Sequence, residues 1–121
     1  KYMTLDEFVD FAKYADYWVY ASPDWNEVYT NNFSNKRKLD SMKSVRSKNV
    51  FDTTGYGENA WFEQRMAEPE VVLGDFCSVV GMLSESDHDR VWLRNVFTED
   101  KGSSPTCTNV NAPLEKNDVS C

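Results

Sequence analysis

The sequence predicts an all-α fold: a single small domain of five or six short helices packed as an irregular bundle, with an extended C-terminal tail. Three observations carry this reading. Apolar residues recur at helical spacing through most of residues 1–97, and Ser, Thr or Pro stand where helices would begin. With 40% hydrophobic and 14% aromatic residues but only five glycines, the chain has too much apolar bulk to stay disordered. A chain of 121 residues suits one domain around one core, expected over residues 1–97, with 98–121 as an irregular polar tail.

The first helix is expected in "TLDEFVDFAKYADYWVYAS". Thr4 and Glu7 have capping-box spacing, and Leu5, Phe8, Ala12, Ala15 and Val19 share a face. Phe11, Tyr14 and Trp18 form a second stripe. "SPDWNEVYTNN" restarts the pattern, with Ser22 as cap, Pro23 at the first helical position and Trp25, Val28 and Tyr29 as its stripe. A short helix follows in "KRKLDSMKSVRSK", where Lys36–Lys48 concentrates positive charge beside a thin apolar edge of Leu39, Met42 and Val45. "ENAWFEQRM" reads as another, with Phe62 and Met66 one turn apart. "EPEVVLGDFCSVVGML" is the expected central helix, because Val72, Phe76, Val79, Val80 and Leu83 follow the 3.6-residue period and Pro69 suits its start. Gly74, Ser78 and Gly81 lie on its other face, small enough to admit a neighbouring helix. "SESDHDRVWLRNVF" completes the set, with Ser86 and Asp89 in capping-box spacing.

A net charge of −7 repels polyphosphates, which disfavours nucleic acid and anionic membrane surfaces as partners. The longest apolar run is interrupted by Asp75 and is too short to span a bilayer. Of the three cysteines, Cys107 and Cys121 are expected to close a tail disulfide while Cys77 serves as a small buried hydrophobe. That pairing, and the sequon at Asn32, point to an oxidising compartment: a secreted or organelle-lumenal chain with a processed N-terminus. Lys36–Lys48 could meet an acidic partner, although a solvated helix face balancing acidic neighbours is the preferred reading.

Catalytic chemistry is scarce. His88 is the single histidine, so a multi-histidine zinc site is impossible within one chain, and Asp87 and Asp89 beside it suit a helix's first turn. No nucleophile-elbow, Cys–His or phosphate-loop signature is present.

The stretch "DTTGYGENAWFE" places Asp52 first, Gly57 sixth and Glu63 twelfth, and in this it resembles the calcium loop of EF-hand proteins. "YMTLDEFVDF" is similar to the end of such a motif, with Met3, Glu7 and Phe8 at its eighth, twelfth and thirteenth positions. The resemblance implies a calcium site on Asp52, Thr54, Tyr56, Glu58 and Glu63. The third and fifth positions lack the family's usual carboxylate or amide oxygens, and the residue reading is a Gly-x-Gly turn feeding a short helix.

These observations lead to the expectation of a non-enzymatic binding or accessory protein, a peripheral subunit or interaction module that needs no cofactor. Trp18, Tyr20, Trp25 and Tyr29 are its candidate partner-binding residues, because large aromatics anchor interfaces. A calcium-binding protein with a degenerate loop and a small-ligand carrier with an aromatic interhelical pocket are the alternatives.

Overall fold

The computed structural model of the chain describes residues 2–84, 87–104, 109 and 111. They form a mixed α/β fold: five α-helices accompany a three-stranded sheet in the order β1-β2-β3, which corrects the all-α expectation. The strands are β1 (Trp18–Tyr20), β2 (Val50–Asp52) and β3 (Arg94–Asn95). The helices are α1 (Leu5–Ala12), α2 (Phe33–Leu39), α3 (Lys43–Arg46), α4 (Ala60–Gln64) and α5 (Pro69–Val79). A π-helical turn at Asn26–Thr30 replaces the helix expected after Pro23.

The described residues gather into two compact units, residues 2–52 with 95–99, and residues 53–84 and 87–94 with 100–104. In the first unit, α1 begins where its capping box predicts. Glu7 N–H donates to Thr4 Oγ1 (3.3 Å) and Thr4 N–H to Glu7 Oε2 (2.8 Å). It ends at Ala12 rather than running on through Tyr20. Trp18, Val19 and Tyr20 are aromatic or β-branched, lose side-chain freedom in a helix, and suit a strand. They pair in parallel with β2, Trp18 opposite Val50 and Tyr20 opposite Asp52. Val96 N–H donates to Val50 O (3.1 Å), so the returning chain also bonds to β2.

Parallel strands need a long crossover, and here α2 and α3 lie within it. Asn32 caps α2 by accepting from Asn35 N–H (3.0 Å). The basic stretch binds acids within its own unit: Lys36 with Asp40 (2.9 Å), Lys38 with Asp6 (2.7 Å), and Lys43 with Asp16. Val9, Trp25, Leu39, Met42, Val45 and Val50 form the core of this unit.

The second unit has its own small core of Ala60, Val71 and Trp92. Here α4 and α5 form where expected, with Pro69 opening α5. The helix expected in "SESDHDRVWLRNVF" is absent from its described residues 87–97. The N–H groups of Val91, Trp92 and Leu93, which a helix would bond to its own carbonyls, donate instead to the Asp75 carboxylate. Cys107, Cys121 and the proposed disulfide between them lie outside the described residues.

Candidate functional site

The candidate site is the outward side of α5, and it begins with what α5 buries. Asp75 is fully buried and its two oxygens meet four donors. Oδ2 accepts from Trp92 N–H (2.6 Å) and Leu93 N–H (2.7 Å). Oδ1 accepts from Val91 N–H (3.1 Å) and from His88 Nε2 (2.7 Å). The carboxylate oxygen is the acceptor of this pair and His88 Nε2 its donor. A buried carboxylate costs several kcal/mol to desolvate unless donors surround it, and bonds to a charged group are worth about 1.5–3 kcal/mol each. That constellation fixes how α5 is rotated.

Of the small residues Gly74, Ser78 and Gly81, the first two lie on the inward side, while Gly81 is exposed beyond the end of α5. A Cβ on Gly74 would lie 2.8 Å from His88 Cε1, so only glycine lets the imidazole pack against the helix there. Ser78 Oγ accepts from Arg90 (3.3 Å), while Arg90 Nε reaches Leu93 O (3.3 Å). Val71 and Val79 complete the buried side.

The consequence is an apolar helix face turned to solvent. Leu73, Phe76 and Val80 recur at helical spacing on the side opposite Asp75, and are 61%, 39% and 46% exposed. Met66 and Met82, in the segments flanking α5, are 78% and 76% exposed, and Phe62 on α4 is exposed too. This corrects the expectation that Phe76 and Val80 lie in the core. Cys77, expected to be buried, is a free, half-buried thiol on this side.

The four aromatics expected at an interface are brought together in the first unit. Trp25 stacks on Tyr29 (centroids 4.8 Å apart) and meets Trp18 (5.5 Å) and Tyr20 (5.8 Å) edge-on. Such pairs contribute about 0.5–1.5 kcal/mol beyond their area. Trp25 is buried, while Trp18, Tyr20 and Tyr29 are half-buried, so the cluster packs the unit while keeping part of its surface open. Burial, reinforced by the bond from Tyr20 Oη to Asp24 (2.6 Å), pushes the Tyr20 phenol up to about 12. Burial raises Tyr29 as well, and its hydroxyl donates to Asp40 (2.7 Å) while accepting from Lys36 (2.9 Å).

The residues of the calcium-loop resemblance take different environments. Asp52 is buried on β2, and Glu63 is exposed on α4. Thr54 is buried and its Oγ1 accepts from Arg94 Nε (2.7 Å), placing a guanidinium at the loop's third position, where a cation's ligand would be. Tyr56 packs edge-on against Trp92 (5.6 Å) and its carbonyl accepts from Ser104 Oγ (2.6 Å). Glu58 pairs with Lys101 (2.5 Å). The glycine of "TTG" has a packing reason: a Cβ on Gly55 would fall 2.5 Å from Val91 O, and Gly55 N–H donates to Trp92 O (3.0 Å). Among the described residues no three His, Cys, Asp or Glu side chains gather as a metal-binding group, and no helix is long and apolar enough to cross a membrane.

Sequence reasoning missed Asp75 and the outward face it creates. The signal was present: an acid inside an otherwise apolar helix, beside a glycine, with the single histidine downstream. Comparison with known protein families, curated proteins and solved structures finds no match.

Proposed function

We propose that the chain is a non-enzymatic interaction module, an accessory or peripheral subunit of an oxidising or lumenal compartment, that docks through the outward face of α5. One observation carries this reading. Leu73, Phe76 and Val80 lie exposed at helical spacing, with Met66 and Met82 exposed in the segments that flank α5, although a solvent-facing helix side is ordinarily polar. Exposed apolar side chains grouped in this way mark interaction sites, and isolated ones would not.

Two further features support a binding role. The imidazole of His88, the single histidine, is buried and bonded to Asp75, which is engaged by three backbone donors. It orders the 87–94 segment in a place where a substrate has little access. The half-buried aromatics Trp18, Tyr20 and Tyr29, and the exposed Phe11, Tyr14 and Phe33, give the first unit accessible apolar side chains of its own.

Native mass spectrometry of the protein taken from its source tests the proposal. The chain is expected in an assembly with a defined partner, and the Leu73→Ser/Val80→Ser variant is expected to release that partner while keeping its own fold. A lone monomer at physiological concentration would contradict it.

A further inference from the structure

The charges around the outward face of α5 narrow the kind of partner that fits it. From Glu58 to Leu93 the sequence holds eight carboxylates against two arginines and no lysine, so most of the chain's net charge of −7 is concentrated in this stretch. Both arginines are turned to internal tasks. Arg65 donates to Trp61 O (2.7 Å) and lies over the Trp61 ring (4.9 Å), and Arg90 bonds to Ser78 and Leu93. Of the described carboxylates in this stretch, Asp75 alone is buried. Glu63 on α4, Glu70 in the first turn of α5, and Asp87 and Asp89 beyond its C-terminal end are exposed.

The exposed apolar residues therefore belong to an acidic stretch of the chain whose described carboxylates are mostly exposed. Resting on the docking role assigned to α5 above, we infer that the partner segment is a basic amphipathic helix, with apolar residues on one side flanked by Lys and Arg. Apolar anchors at a spacing of three to four residues fit the Leu73, Phe76 and Val80 row, and methionine side chains at Met66 and Met82 adapt to varied anchor shapes. The flanking cations meet Glu63, Glu70, Asp87 and Asp89, which sets orientation and speeds encounter. The same carboxylates repel an anionic membrane, a nucleic acid and a second copy of this face.

The test is selection from a displayed library of helical 18-residue peptides. Their apolar positions draw on Leu, Ile, Phe and Trp, and all other positions on Lys, Arg, Glu and Ser. The bait is the full-length chain, and Leu73→Ser/Val80→Ser serves as the counter-bait, its fold checked by circular dichroism. The expected result is enrichment of Lys and Arg over Glu among peptides that bind the wild type and not the counter-bait. Their affinity should fall roughly tenfold between low and high salt, as screening of facing charges requires.

Enrichment of neutral or acidic peptides that still depend on Leu73 and Val80 would overturn the basic-helix inference while leaving the docking role standing. Binders indifferent to Leu73 and Val80, or no binders, would overturn the inference, and the native assembly measurement then decides the docking role separately. Concentration-dependent dimers lost in Leu73→Ser/Val80→Ser, or flotation with phosphatidylserine vesicles, would replace the basic helix with a different occupant.

Discussion

Replacing Asp75 by asparagine changes one oxygen to an amide nitrogen with almost no change in shape, and so isolates the carboxylate's role. Turned with its oxygen toward Trp92 and Leu93, the amide still accepts both N–H groups, now without a charge. Each of those bonds then falls from the range of a charged acceptor toward that of a neutral one, a loss of about 1 kcal/mol apiece. The amide NH2 now faces Val91 N–H, and a buried donor without an acceptor costs about 1–3 kcal/mol. His88 can accommodate the change by moving its proton to Nδ1 and accepting through Nε2. The sum is about 3–5 kcal/mol, a large part of the roughly 5–15 kcal/mol that stabilises a small domain. Urea unfolding followed by circular dichroism and tryptophan fluorescence measures it. With a slope of about 2 kcal/mol per molar, the midpoint should fall by about 1.5–2.5 M. A midpoint within about 0.3 M of wild type would refute the claim that this carboxylate holds the 87–94 segment and, through it, the rotation of α5.

Three other substitutions or conditions test separate parts of the account. Leu73→Ser/Val80→Ser should change stability by no more than about 0.5 kcal/mol per site in urea unfolding, since neither side chain is buried; losses of about 2 kcal/mol or more per site would mean they face the core. Gly55→Ala should destabilise by about 1–3 kcal/mol, because its Cβ collides with backbone at Val91 rather than with a side chain that can move. Stability should also fall as pH rises from 10 to about 12. The folded state holds the Tyr20 proton up to about 12 and the unfolded state releases it near 10, so the unfolded chain binds fewer protons across that window. Tyr20→Phe should flatten this part of the pH profile of the urea midpoint, and an unchanged slope would place the shift elsewhere.

Local signals in the sequence were legible where one helix end or one helical period decided the outcome. Thr4 with Glu7 marked the start of α1, Pro69 that of α5, and Phe62 with Met66 the α4 segment. The strands were not legible, because Trp18–Tyr20 and Val50–Asp52 are three residues each and become a sheet only by pairing with each other across a long crossover. The 87–93 segment shows the same limit from the other side. The helix expected there from the capping-box spacing of Ser86 and Asp89 is overridden by one carboxylate on another element, which takes the N–H groups of Val91, Trp92 and Leu93.

The candidate site was hidden for a related reason. Periodicity shows that α5 has an apolar side and a small, polar side, but not which side faces inward. Ordinary burial preferences place Phe76 and Val80 inside. Asp75, His88 and the close approach at Gly74 reverse that choice, because a carboxylate ringed by four donors can be buried and then cannot be turned out without stranding them. The aromatics Trp18, Tyr20, Trp25 and Tyr29, expected from the sequence as partner anchors, gather around the buried Trp25.

Hydroxyl-radical footprinting of the full-length chain, first alone and then within the assembly isolated from its source, tests the central claim most directly. Met66, Leu73, Phe76 and Met82 should be labelled readily in the isolated chain and protected together in the assembly. Slow labelling of Leu73 and Phe76 in the isolated chain, or unchanged labelling of the four residues in the assembly, would contradict the assignment of the outward face of α5 as the docking surface.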